Sequence, residues 1–200
     1  MKNRFIRYLT AIFILLFFSL TIKAGEATDR IKAATDKLIE IVSNHDLDVP
    51  DMAEKRAKMI RETVDEVFDW SAFSQRALGR HWGTLSQPQK KEFIFYFGQL
   101  LERTYMDKTR HYSGEKMIFL NEKIDGKYGT IGAKITLSSG KDAAIEYRVI
   151  KPDDKWFIYD VYVEGISLVS NYRSQFSTIL IKSGYDELLK RLKTKVDEQS

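Results

Sequence analysis

The side chains best suited to proton transfer or metal ligation near neutral pH are three histidines, His45, His81 and His111. They lie far apart in sequence. None stands in His-x-x-x-His or His-Glu-x-x-His spacing, so no zinc motif is present. Cysteine is absent, which removes thiol nucleophiles, thiolate metal sites and redox pairs. There is no Gly-x-Ser-x-Gly elbow and no Walker loop. Gly126, Gly129 and Gly132 recur every third residue, but inside a strand-like segment, which is the wrong setting for a phosphate loop. Asp160 and Glu164 are the best carboxylate pair. On a strand they would share a face roughly 13 Å apart, at about 3.3 Å per residue, whereas retaining glycosidase chemistry needs about 5 Å. Arg76, Arg148 and Arg173 could each grip a phosphate or carboxylate, or stand in an ordinary surface ion pair. No catalytic residue, metal or cofactor is expected, and the chain does not read as an enzyme.

What the sequence has in excess is aromatic and β-branched residues. Aromatics make up 12% of the chain and gather in one long helical segment and two strand segments. The run Trp156 to Val163 is aromatic or β-branched at every position but Asp160, which favours an extended strand. It does not alternate apolar with polar, so it should have apolar surroundings on both faces. Helices could cover one side. The other could hold something that is not protein. A lipid chain would demand apolar walls throughout: at about 0.8 kcal/mol per buried CH₂, a chain of about 16 carbons brings roughly 12 kcal/mol. A bilayer already supplies that, so a carrier must match it.

The N-terminus reads as an address. Lys2, Arg4 and Arg7 precede an apolar run from Leu9 to Leu20, and small residues follow at Ala24, Gly25 and Ala27. That is the plan of a cleavable signal peptide, residues 1–24, and the apolar run is too short for a span of about 20 residues. Cleavage after Ala24 is expected, with Ala27 as an alternative. Residues 1–24 carry four bases and no acid, so the 32 Lys+Arg and 28 Asp+Glu of the whole chain become 28 against 28. The positive balance therefore belongs to the leader and is not a nucleic-acid footprint. Export without disulfides fits a bacterial periplasm. Residues 25–200 read as a single domain.

The elements that must position any site follow from periodicity. Glu26 to Asn44 is a predicted helix with Ile31, Ala34, Leu38, Ile41 and Val42 on one face. A second, capped by Asp51, carries Met52, Met59, Thr63, Val64 and Val67. Both look like amphipathic struts around a core. Asp69 caps a short helix, Trp70 to Leu78, ended by Gly79. Ser86 and Gln89 form a capping box, with Pro88 in the first turn, for the long helix Gln87 to about Arg110. From residue 115 the period becomes two. Four strands are expected: 115–121, 128–137, a third around Ala143 to Val149, and 155–164. They are linked by hairpins as an antiparallel meander. Gly165 should adopt a positive φ or a tight bend before the helix that starts near Ser167. Gly184 separates that helix from a terminal one. The expected class is α+β: one curved antiparallel sheet of about four strands with helices on its concave side, where the aromatic clusters either pack solidly or line a pocket.

Several motifs stand in order over most of residues 60–195: Arg76-Ala77-Leu78-Gly79-Arg80-His81-Trp82, Phe93 with Leu100-Leu101-Glu102-Arg103-Thr104-Tyr105, and Tyr112-Ser113-Gly114-Glu115. The strongest run is Tyr159-Asp160-Val161, then Glu164-Gly165-Ile166-Ser167-Leu168-Val169 and Asn171-Tyr172-Arg173-Ser174-Gln175-Phe176. In residues and spacing these motifs resemble the MlaC family, periplasmic phospholipid-binding proteins of Mla intermembrane transport systems, also called the toluene-tolerance family. Ser86-Gln87-Pro88-Gln89 departs from the family habit of proline directly after the cap. The resemblance implies a soluble shuttle that takes phospholipid between an outer-membrane lipoprotein complex and an inner-membrane complex with an ABC transporter. It also implies that sheet and helices enclose an apolar cavity, in which the acyl chains would sit with the head group at the mouth. The expected lining is Phe97, Leu100, Leu101, Tyr105, Ile145, Tyr147, Val149, Tyr159, Val161, Val163, Val169 and Phe176, if one face of each strand points inward. Two other readings stay open at this stage: an exported enzyme of unknown chemistry, or an adaptor with a solid core that binds only proteins.

Overall fold

The computed structural model describes residues 25–109 and 114–198, with the backbone alone at 105–109. The segment 1–24, the Tyr105 side chain, His111, Tyr112 and Ser113 lie outside the described residues. Five helices are named here α1 (Glu26–Ser43), α2 (Ala53–Asp65), α3 (Trp70–Leu78), α4 (Gln87–Thr109) and α5 (Leu168–Glu198). Between α4 and α5 run β1 (Lys116–Asp125), β2 (Tyr128–Thr136), β3 (Asp142–Ile150), β4 (Phe157–Val163) and the two-residue β5 (Ile166–Ser167). The strands form one antiparallel meander in the order β1-β2-β3-β4-β5. The fifth strand is an addition to the four read from sequence. It exists because Glu164 (φ 51) and Gly165 (φ 77) both take left-handed conformations. Two such residues make a tight hairpin of the type that suits strand twist, and Val163 then pairs with Ile166.

Local signals set most helix ends. The Asp69 carboxylate accepts the Ala72 N–H at 2.8 Å and starts α3. The Ser86–Gln89 box closes on α4: the Ser86 N–H donates to Gln89 Oε1 at 2.9 Å, and the Gln89 N–H donates to Ser86 Oγ at 3.4 Å. Asp51 does not cap α2. It lies in a 3₁₀ turn, Pro50–Met52, and Met52 precedes α2 without a side-chain cap. Proline at residue 50 starts that tighter turn one step earlier. α1 borrows its cap from the sheet: Glu122 Oε2 accepts the Thr28 N–H at 2.7 Å and the Thr28 hydroxyl at 2.6 Å. The Glu122 carboxylate fills the space a Cβ on Gly25 would take. Gly184 (φ 80) breaks α5 into two helical pieces.

The helices divide into two groups. α3, α4 and both pieces of α5 bury Phe73, Leu78, Phe93, Phe97, Leu100, Leu101, Val169, Phe176 and Leu188 in a core made of helices alone. The N-terminal half of α1 lies on the sheet, where Ala27, Ile31 and Ala34 pack with Ile131, Val149, Trp156 and Ile158. Its C-terminal half leaves the sheet and joins α2 in a small separate core of Ile41, Leu47 and Ile60. Phe68 links the groups. The Val67 carbonyl accepts from Ile158 N–H at 2.7 Å, and the Ile158 carbonyl accepts from Asp69 N–H at 2.9 Å, along the edge of β4.

Candidate functional site

Where α1 parts from the sheet, a space remains. It is a cavity of about 430 Å³. Its floor is the inner face of the sheet, with Met117, Ile135, Tyr147, Val161 and Val163. Its roof is Leu38, Ile39 and Val42 of α1 with Ile60 and Val64 of α2. Phe68, Leu101 and Leu168 close the side next to the helical core. Thr35 is the one polar group of the roof. Charge appears only with Arg61, Asp65, Glu102 and Glu115. Arg61 and Asp65 are exposed, so these residues mark the mouth. There Arg61 Nη2 meets Glu102 Oε1 at 2.6 Å, and the Trp70 indole N–H donates to Asp65 Oδ1 at 2.7 Å.

The phenol of Tyr147 on the floor is pushed up to about 12 by burial, opposed only by the Thr35 hydroxyl. By surface area Tyr147 is only half-buried. The two observations agree once the remaining surface is seen to face the cavity and not bulk water. A neutral phenol is therefore part of an apolar wall.

Of the twelve residues expected to line a cavity, the structure brings four to this one: Leu101, Tyr147, Val161 and Val163. Phe97, Leu100, Val169 and Phe176 lie in the helical core instead. The Phe97 and Phe176 rings pack edge to face at 5.0 Å. The helix that carries Phe97 and Leu100, α4, is apolar on a wide arc because α3 and α5 cover it from two sides. Val149 is fully buried under α1. Ile145 shares the inward-facing register of Tyr147 but does not border the cavity. Tyr159 is displaced by a β-bulge. Arg148 pairs with Asp160 and Val149 with Ile158, which leaves Tyr159 as the extra residue. Ile158 and Val161 therefore both pack inward while Tyr159 turns to the opposite side, under the guanidinium of Arg76 at 4.0 Å. The roof residues from α1 and α2 were absent from the expectation. The signal for them is present: Leu38, Ile39, Ile41 and Val42 make that end of α1 wider in apolar character than a single stripe requires.

Among the described residues, the histidines and carboxylates that could have done chemistry do not converge. His45 is exposed in a turn and His81 half-buried in another. Among the described residues no cluster of three or more His, Cys, Asp or Glu could hold a metal. Asp160 is buried and spends its carboxylate on the β5–α5 junction. Glu164 accepts the Ala144 N–H. Arg148 pairs with Glu146 at 2.7 Å and donates to the Thr130 hydroxyl at 3.0 Å. No described helix is long and apolar enough to cross a membrane.

An open antiparallel sheet roofed by helices over an apolar chamber defines an α+β protein built around internal space. The chain belongs to the MlaC protein family, whose sequence model matches residues 32–194. It is 21% identical over 167 residues to the intermembrane phospholipid transport system binding protein MlaC of Haemophilus influenzae, covering 81% of this chain and 78% of that one. The fold is shared with a phospholipid-binding protein of Ralstonia solanacearum solved in complex with a phospholipid. The TM-score is 0.79 at 23% identity, over 88% of this chain and 99% of that one.

Proposed function

We propose that this protein is a periplasmic phospholipid carrier without catalytic activity. It is exported by a cleaved leader and exchanges lipid with an outer-membrane lipoprotein complex and an inner-membrane ABC-transporter complex of an Mla system. The observation that carries this reading is the cavity. Its walls are apolar apart from Thr35 and the rim, and each CH₂ of an acyl chain buried against them is worth about 0.8 kcal/mol. An acyl chain there withdraws these walls from water and leaves its head group at the mouth, beside Arg61. The lining proposed for the chain is Leu38, Ile39, Val42, Val64, Phe68, Leu101, Met117, Ile135, Tyr147, Val161, Val163 and Leu168. The roles stated for the Haemophilus and Ralstonia relatives support it. A solid-cored adaptor would leave no space beyond a few waters of about 30 Å³ each. An enzyme would need free titratable groups inside, whereas Asp65 and Glu102 are held at the rim by Trp70 and Arg61.

Native mass spectrometry of the purified protein tests the reading. A mass increment of one or more diacyl phospholipids is expected. Protein that never carries phospholipid, even after incubation with vesicles, would overturn it.

A further inference from the structure

A second concavity, about 620 Å³, shares no residue with the cavity under α1 and α2. It lies between α3, the sheet residues Tyr128 and Ile150, and Arg173 of α5. Two guanidinium groups border it, and each is set in place by the fold. Arg76 donates from Nη1 to the Ala72 carbonyl at 3.2 Å and rests on the Tyr159 ring at 4.0 Å. Arg173 donates from Nε to the Arg76 carbonyl at 2.7 Å. Its stem crosses Gly79 (φ +55), where a Cβ would stand 3.5 Å from Arg173 Cδ. Arginine has five N–H donors. One bond each fixes direction and leaves the rest of each fork unused.

Neither guanidinium has a carboxylate partner among the described residues, in contrast to Arg148 with Glu146 and Arg61 with Glu102. The single carboxylate bordering the groove, Asp69, commits Oδ1 to the first turn of α3. Lys127, over the Tyr128 ring at 5.7 Å, adds positive charge at the rim. Tyr128 itself is exposed. The groove thus offers two oriented forks without carboxylate partners next to an exposed tyrosine.

We propose that this groove docks an acidic segment of a partner protein. An Asp or Glu carboxylate bridges Arg76 and Arg173, and a neighbouring apolar side chain covers Tyr128. Planar forks match a carboxylate bidentately. The half-buried position of Arg76 between helix and sheet favours a protruding side chain over a flat bilayer. A free inorganic anion would leave Tyr128 exposed to water.

The test uses the purified protein and the blocked hexapeptide GLEELG, with GLQQLG, sodium phosphate and phosphatidylglycerol vesicles as competing probes. Arginine Nε–Hε signals are followed by NMR. GLEELG is expected to shift Arg76 and Arg173 saturably, GLQQLG not at all, and added salt should weaken the binding. R76Q should weaken it roughly tenfold, and R76K, which keeps the charge but loses the fork, should also weaken it. R173Q serves the same purpose if R76Q does not fold. The wild-type titration needs no variant. The absence of a saturable shift up to about 10 mM peptide would overturn the proposal. So would equal shifts from phosphate, which would make this a small-anion site, or a response to vesicles alone, which would make it a membrane contact. The proposal does not rest on the lipid reading. Phospholipid occupancy, measured in the same samples, should be unchanged in all variants.

Discussion

The hydroxyl of Ser167 donates to the carboxylate of Asp160 at 2.6 Å, across the turn that joins β4 to α5. The other carboxylate oxygen accepts the Val161 N–H at 2.8 Å and the Val169 N–H at 3.1 Å. Ser167 Oγ in turn accepts the Ser170 N–H at 2.9 Å. A residue of the last long strand thus caps the helix that follows it. The lone polar residue in an aromatic strand is there to start a helix. Asp160→Ala strands at least two buried donors and should cost about 2–4 kcal/mol. Urea denaturation measures it. A loss below about 0.5 kcal/mol, a surface-substitution value, would show that the junction does not depend on this carboxylate.

Phe97 and Val161 were both expected to face lipid, and the structure separates them. Phe97 contacts Phe73, Phe93, Tyr172 and Phe176 with ring centroids 5.0–5.7 Å apart and is fully buried. Phe97→Ala should cost about 3–5 kcal/mol, with phospholipid per folded molecule little changed. Val161→Trp should do the reverse. It fills the cavity, lowers the phospholipid recovered severalfold, and costs less than about 3 kcal/mol. Thermal denaturation and quantitative lipid extraction on both variants decide the assignment.

Gly165 stands at φ 77 with open space where a Cβ would go. Only the backbone conformation opposes a side chain there. Gly165→Ala should therefore cost about 1–2 kcal/mol, while Gly165→Asn should cost less, since Asn tolerates this region. Calorimetry of the pair checks the turn.

Tyr147 gives a pH dependence with a definite sign. Its phenol is held at about 12 in the folded protein, against about 10 in an unfolded chain. The folded state keeps its proton longer. The corresponding stability is whole below pH 10 and disappears as pH rises from about 10 to 12, amounting to at most about 3 kcal/mol. Tyr185, also raised to about 12, adds in the same direction. Tyr147→Phe should flatten the alkaline limb of the stability profile. A limb identical to wild type would mean that Tyr147 is not buried as a neutral phenol.

Most of the fold was legible because each element announces itself locally. The cap at Asp69, the box at Ser86 and Gln89, the period-two strands and Gly165 are all short-range signals. The cavity was legible as a need for apolar walls, but its address was not. A wide apolar helix such as α4 has the same composition whether it faces lipid or two other helices. Only the packing of α3 and α5 decides. The bulge at Tyr159 is invisible to alternation, and it reverses the face of one expected lining residue. α1 and α2 looked like ordinary struts because their lining residues are few. What makes them walls is that α1 parts from the sheet after Ala34, a tertiary event with no local mark.

That parting has a consequence for cooperativity. The outer end of α1 and all of α2 share a small core, Ile41, Leu47 and Ile60, that belongs to neither the sheet nor the bundle. The Arg61–Glu102 pair ties α2 to α4, and Arg61 is half-exposed, which makes such a tie weak. The roof is therefore expected to act as a subglobal unit that tilts with its own interior intact. Chamber volume would then be a soft coordinate, letting one sequence hold acyl chains of different length. Amide exchange should register this. Residues 38–64 are expected to slow on lipid loading, while residues 93–101 stay as they were.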